Sequence, residues 1–97
     1  MEIEVTREDL GDHGRYHLLV DGEEKGELDY RMVDGLRVMF HTGVREELEG
    51  RVLGGTLARH ALDDAREDGV LVVPQCPFIA RYIEIKTKYQ DLLANAG

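Results

Sequence analysis

Leu53, Leu57, Ala61 and Ala65 recur every fourth residue with Leu62 beside them, while Arg59, Asp63, Asp64 and Arg66 fall outside that stripe. The spacing makes one long amphipathic helix with a single apolar face that must be covered. A chain of 97 residues has room for one modest core. The cover must therefore come from short segments before and after the helix, and residues 1–97 read as a single domain. Just ahead of the stripe, residues 45–55 are expected to form a tight glycine-containing turn that runs directly into the helix. Gly50, Gly54 and Gly55 would let backbone pass close to a ligand there, and the first free N–H groups of the helix would form an anion cradle. The same glycines also suit a plain turn, so the cradle needs support from elsewhere in the chain.

The segments around the helix read as strands. Ile3 and Val5 alternate with Glu2 and Glu4 over residues 1–6, and turn residues follow from Asp9 to Gly14. Tyr16, Leu18 and Val20 alternate next. Asp21-Gly22, with Glu23, Glu24 and Lys25, makes a turn, and Leu28, Tyr30 and Met32 resume the period of two. Asp34-Gly35 is a second two-residue turn, after which Leu36, Val38, Phe40 and Thr42 form a strand ending near Val44. Four antiparallel strands in a meander therefore precede the helix. Beyond it, Gly69 is a natural helix stop, and residues 70–73 are a continuous apolar run expected to be buried on both faces and closed by Pro74. A strand reached through a helix packs parallel to the strand before that helix, here residues 36–44. Pro77 suits the first position of a second helix over residues 78–85, with Cys76 at its N-cap, and residues 89–93 are expected to pack back. The fold class is α+β, with a mixed sheet.

Twenty acidic residues against twelve Lys and Arg leave a net charge of −8. That charge repels nucleic acid and anionic membrane surfaces and favours cationic or neutral partners. A phosphate-bearing ligand would have to rely on local N–H groups and nearby Arg. One cysteine excludes an intrachain disulfide and fits a reducing compartment. Without a leader-like segment or an apolar run near eighteen residues, a cytoplasmic location with no membrane span is expected. His13, His17 and His60 lack a ligand spacing with Cys76, so no metal is expected.

A meander, a glycine turn into a long helix, a parallel strand and another helix together resemble the GNAT superfamily of acyl-CoA-dependent N-acetyltransferases. Val44 and the segment from Gly50 to Gly55 stand at the spacing of that family's strand end and phosphate-holding loop. Gly54 matches the last glycine of the motif, Val52 replaces the first, and Glu49 stands where the family prefers Gln or Arg. More specifically, His41-Thr42-Gly43-Val44 and Cys76-Pro77-Phe78 resemble the short stand-alone members of about this length. Tyr82 and Tyr89 match downstream positions, whereas Lys86-Thr87 replaces a His-Pro pair. The resemblance spans residues 15–93.

The resemblance implies a GNAT-like splayed sheet with acetyl-CoA as cosubstrate, held by Val44, Gly50, Arg51, Val52, Leu53, Gly54, Gly55 and Thr56. It also implies catalytic roles for Cys76, His41 and Tyr82, with an unidentified amine as acceptor. Two routes are open. In one, Cys76 attacks acetyl-CoA, His41 assists, and an acetyl-enzyme forms; the pairing of Cys and His in the short branch favours this route. In the other, the amine attacks directly and Cys76 or Tyr82 protonates the departing thiolate. Plainer roles also exist: a lone Cys is a common small buried hydrophobe, a strand His can satisfy a carbonyl, Tyr82 can simply pack, and Arg45 and Arg51 can pair with Glu46, Glu47 and Glu49. A non-catalytic acyl-CoA-binding module or sensor is the alternative, and a small interaction or redox protein using Cys76 alone is a third reading. With only residues 7–15 bridging the first two strands, the acceptor side is open. It would take a large acceptor such as a protein amine, or a wall from a second copy in a homo-oligomer.

Overall fold

Two Asp-Gly turns set the frame. Asp21 and Gly22 have φ of 51° and 83°, and Asp34 and Gly35 have 52° and 78°. Positive φ at both central residues is the type I′ geometry whose twist matches flanking antiparallel strands. The computed structural model describes residues 1–45 and 50–94 of the chain. Around these turns run β1 (Ile3–Asp9), β2 (His13–Val20), β3 (Glu23–Val33) and β4 (Leu36–Val44), followed by α1 (Gly50–Asp68), β5 (Val72–Pro74), α2 (Pro77–Ile85) and a 3-10 helix (Thr87–Leu92). The sheet order is β1-β2-β3-β4-β5. The first three pairings are antiparallel and β5 joins β4 in parallel, as the order of elements required.

Strand ends differ from the sequence reading. β1 runs to Asp9 and β2 starts at His13, so residues 10–12 alone connect them, rather than the nine residues expected. Arg7 belongs inside a strand because its guanidinium is satisfied on the inward face, by the Tyr30 hydroxyl at 2.9 Å, Asp64 at 2.8 Å and Asp68 at 2.7 Å. The apolar run at residues 70–73 is also less buried than expected. Leu71 is exposed, only Val72 of that run is fully buried, and β5 pairs with β4 at just three positions. Beyond Val72 on the other side lies a single parallel bridge to Leu93.

α1 ends as expected. Gly69 has φ 72°, its N–H donates to Arg66 O at 3.1 Å, and the Val70 N–H donates to Ala65 O at 3.1 Å. These bonds satisfy the last carbonyls in a Schellman arrangement. The stripe Leu53, Leu57, Ala61, Leu62 and Ala65 is buried in one cluster with Leu18, Leu28 and Tyr30 of the sheet. Ile79 and Ile83 of α2 and Tyr89 of the 3-10 helix join that cluster, so both helices cover the same sheet face. Removing this apolar surface from water, at about 25 cal/mol per Å², is the main stabilising contribution.

In β4 the inward residues differ from the expected alternation of Leu36, Val38, Phe40 and Thr42. Met39 lies in the shared core and Arg37 is 3% exposed. The buried guanidinium is tolerated because it donates to the Tyr16 hydroxyl at 3.1 Å and to Asp68 at 2.9 Å. The Tyr16 hydroxyl in turn donates to Asp64 at 2.6 Å. Burial, reinforced by this bond, holds the Tyr16 hydroxyl well above its ordinary pKa. Two arginines, two aspartates and two tyrosines thus tie β1, β2, β3 and β4 to the C-terminal half of α1.

Candidate active site

The site forms where the parallel pair comes apart. β5 pairs with Arg37, Val38 and Met39 only, while β4 continues to Val44. The chain leaves the ladder where the Cys76 N–H donates to Met39 O at 3.0 Å and Pro77 starts α2. A bulge lies at the same level: Asp29 pairs with His41 and Tyr30 with Met39, leaving Phe40 as an extra residue. Bulges reverse the alternation of faces beyond them. Thr42 and Val44, opposite the inward residues Leu28 and Gly26, therefore face the helices. His41 and Gly43, opposite Asp29 and Glu27, face the other side. The Arg45 N–H donates to Lys25 O of β3 at 2.9 Å. Strand alternation then turns the Val44 N–H toward the edge that β5 leaves uncovered.

Cys76 occupies the N-cap of α2, as its sequence position suggested, but its side chain does not cap the helix. It is 6% exposed, and its thiol donates to Thr42 Oγ1 at 3.3 Å. His41 is elsewhere. Its Nε2 lies 3.0 Å from Glu27 Oε2 and its side chain is 48% exposed. The expected pairing of Cys76 with His41 is not formed: each has its own partner, and the two side chains stand on opposite faces of β4. Tyr82 is half-buried on α2, with its ring centroid 6.1 Å from that of Tyr89. Burial raises the Tyr82 hydroxyl pKa, with Arg59 opposing and Asp63 adding to the shift, so the hydroxyl keeps its proton at neutral pH.

The glycines have a different setting from the expected turn. The helix has already begun at Gly50, so Gly54 and Gly55 lie inside α1. A Cβ at Gly54 would stand 2.8 Å from Phe78 Cζ, and one at Gly55 would meet Tyr82 Cε1 at 3.7 Å. Gly54 therefore lets α2 close onto α1 through Phe78. Val52 is exposed, Leu53 is buried in the core, and the Thr56 hydroxyl donates to Val52 O at 3.0 Å. In an α-helix whose first residue is Gly50, the N–H groups of residues 50–52 have no partner within the helix. The Arg51 side chain lies outside the described residues, as do Glu46, Glu47 and Glu49 with the ion pairs considered for them.

Two recesses lie among these elements, one against α1 and α2 and one against the end of β4. One of about 330 Å³ is lined by Val52, Gly55, Thr56, Arg59, Tyr82 and Lys86, and so brings two cations beside the first turns of α1. Another of about 450 Å³ is lined by Glu24, Lys25, Gly26, Glu27, Gly43, Val44 and Arg45. Sequence reading missed four residues here: Thr42, Glu27, Arg59 and Lys86. Arg59 was legible, since Val52, Gly55, Thr56 and Arg59 share one helical face at i, i+3, i+4 and i+7. Thr42 and Glu27 carried no local signal, because their partners are 34 and 14 residues away.

Among the described residues no group of His, Cys, Asp and Glu is arranged to hold a metal ion, and no described helix is long and apolar enough to cross a membrane. No curated protein sequence matches the chain. Among solved structures, a GCN5-like proposed N-acetyltransferase from Staphylococcus aureus, determined by NMR, superposes with a TM-score of 0.69 at 24% identity, over 95% of this chain and 90% of that one. The ribosomal-protein-S18-alanine N-acetyltransferase from Escherichia coli gives 0.64 at 17% identity, over 81% of this chain and 54% of its own length. The ribosomal-protein-alanine N-acetyltransferase from Brucella melitensis biovar Abortus 2308 gives 0.53 at 22% identity, over 88% and 61%. These likenesses are of fold. The sequence model of the GCN5-related N-acetyl-transferase family matches residues 15–92. The chain belongs to the GCN5-related N-acetyltransferase family of acetyl-CoA-using acetyltransferase enzymes.

Proposed function

We propose that this chain transfers an acetyl group from acetyl-CoA to an amine by direct attack, across the gap between β4 and β5. The observation that carries this reading is the division of β4 into two chemical faces, with Thr42 and Cys76 on one and His41 with Glu27 on the other. The pantetheine arm would enter the gap from the side of α1 and α2. Its phosphates would be held by the free N–H groups at Gly50, Arg51 and Val52, with Leu53 completing the first turn and Arg59 and Lys86 supplying positive charge. Thr56, Gly55 and Gly54 would form the adjoining helical surface. The thioester oxygen would accept from the Val44 N–H as negative charge develops on it.

The acceptor amine would arrive from the face that carries His41. His41 takes a proton from the ammonium or from the adduct, the amine nitrogen bonds to the thioester carbon, the C–S bond breaks, and the departing thiolate takes a proton from Tyr82 or Cys76. The recess beside this approach carries Lys25 and Arg45 as well as Glu24 and Glu27, so a preference for a cationic acceptor would come from the net charge of −8. With only residues 10–12 linking β1 to β2, the approach is wide enough for an exposed protein amine. Two of the fold neighbours are named for alanine of ribosomal proteins, which is the same acceptor class.

The test is an intact mass spectrum after incubation with acetyl-CoA and no acceptor, on the parent and on Cys76→Ala, followed by turnover with lysine-rich and free-N-terminus peptides. Direct transfer gives no adduct and a loss of about 10²- to 10⁴-fold in His41→Ala; turnover kept in Cys76→Ala then makes Tyr82 the proton donor, and turnover lost without any adduct makes it Cys76. An acetyl group on Cys76 that is released by added amine would establish the covalent route instead. Thermal protection by acetyl-CoA with no turnover on any amine would make the chain a binding module or sensor.

A further inference from the structure

We infer that Glu27 is a positioning residue for His41, and that Gly43 is glycine so that the Glu27 carboxylate can cross β4 to reach the imidazole. The inference rests on the reading of His41 as the proton acceptor in acetyl transfer. Glu27 and Gly43 are cross-strand partners, and His41 lies two residues before Gly43 on the same outward face. Glu27 Oε2 accepts from His41 Nε2 at 3.0 Å. A carboxylate has no proton to give at neutral pH, so the shared proton sits on Nε2 and the bare nitrogen is Nδ1. The pair therefore selects which nitrogen can take a proton from the acceptor.

Gly43 makes the pair possible. A Cβ there would overlap Glu27 Oε2 and would stand 3.3 Å from His41 Nε2. The carboxylate thus lies across the bare backbone of residue 43, in the place a side chain would fill. Gly43 is not among the glycines with positive φ, so its backbone does not require glycine, and the overlap with Glu27 is the reason left for it. Glu27 is 28% exposed and His41 48%. An ion pair this open contributes little to stability. Its value is orientation of a half-exposed ring with free rotation on both side-chain bonds.

The test uses full-length protein and two readouts. Long-range ¹H–¹⁵N spectra of the His41 imidazole require no acceptor: the parent holds the Nε2–H form alone, and Glu27→Ala and Gly43→Ala each give a mixture with the Nδ1–H form. The same mixture in the parent overturns the positioning claim whether or not the protein is an enzyme. Kinetics form the second readout. Glu27→Ala lowers kcat by roughly 10- to 100-fold with KM for acetyl-CoA unchanged, a share of what a general base contributes, and Gly43→Ala does the same. In the Glu27→Ala background Gly43→Ala costs nothing more, and in the His41→Ala background Glu27→Ala is silent. Additive losses in either double variant overturn the inference. A parent with no turnover on any amine removes the acetyl-transfer reading instead, and the imidazole spectrum then decides the role of Glu27 alone.

Discussion

Gly54→Ala separates two reasons for a glycine near the start of α1. If Gly54 is there because Phe78 lies on it, the substitution acts through that ring. If it is there so that a ligand can reach the backbone, the substitution acts through the ligand. A Cβ at residue 54 would stand 2.8 Å from Phe78 Cζ and 3.4 and 3.5 Å from the two Cε atoms. The ring tip must then retreat by roughly 1 Å to recover carbon–carbon contact distance. Phe78 is 38% exposed, so it can swing outward. It would give up part of a burial whose full value is about 1.5–3 kcal/mol, a loss of about 1 kcal/mol. Against that, alanine is better than glycine inside a helix by about 1 kcal/mol. The two terms nearly cancel, and Gly54→Ala alone should move the unfolding free energy by less than about 1 kcal/mol. In a Phe78→Ala background only the helix term survives, and Gly54→Ala should stabilise by about 1 kcal/mol. Urea melts of the four proteins measure this cycle. Thermal melts with acetyl-CoA at a hundredfold excess over Kd, where a native-state ligand contributes about 2.7 kcal/mol, then ask whether binding survives. Equal stabilisation by Gly54→Ala in both backgrounds would refute the packing argument, and loss of acetyl-CoA protection in both would restore the ligand-approach reading.

Three further outcomes are expected. Arg37→Met leaves the buried Tyr16 hydroxyl without its donor and Asp68 with Arg7 alone, and should cost about 1–3 kcal/mol in urea unfolding; a change below about 0.5 kcal/mol would mean that Arg7 serves the Tyr16 hydroxyl as well. The Arg7 and Arg37 guanidiniums hold the Asp68 carboxyl below its usual range. Its stabilisation is therefore present above the unfolded value near 4 and lost as pH falls through the lower folded value, so the Tm gap between parent and Asp68→Asn should be open at pH 7 and close below about pH 4. His17 has the opposite sign: burial opposes its charged form, but bonds to Glu8 and Glu24, each at 3.1 Å, outweigh burial and raise its pKa. The advantage of the parent over His17→Gln should be full below about pH 6.5 and fade as pH rises through the raised value; a gap that widens between pH 6 and 9 would contradict it.

Much of the fold was legible because it rests on local chemistry. The two Asp-Gly turns, the apolar stripe of α1, Gly69 as its stop and Pro77 as the start of α2 each follow from what one or two residues allow. The family, too, was legible, because His41-Thr42-Gly43-Val44 and Cys76-Pro77-Phe78 are contiguous motifs. The inward face of β4 was not. An arginine between apolar residues reads as outward-facing until Tyr16, 21 residues away, and Asp68, 31 away, are seen to receive it. The reason for Gly54 was missed for the same cause, since glycine before or within a helix looks alike until Phe78 is placed on it.

The bulge at Phe40 is what the period-of-two reading could least anticipate, and it decides which residues of β4 share a face. In an unbroken strand His41 would share a face with Met39, which lies in the core beside the helices, and Thr42 and Val44 would point outward. The Cys76 thiol and the imidazole would then stand on the same side, under α2, the arrangement in which His41 could activate Cys76. One extra residue exchanges the two sets. Thr42 takes the place beside the thiol, Val44 packs against the core, and His41 goes to the open face, where Glu27 receives it across Gly43. On the proposed mechanism, proton removal from an incoming amine and protonation of a departing thiolate would be served from opposite sides of one strand. The proposed direct transfer is compatible with that separation, whereas activation of Cys76 by His41 would need the two groups in contact. Whether His41 can reach Cys76 therefore turns on a single inserted residue in β4.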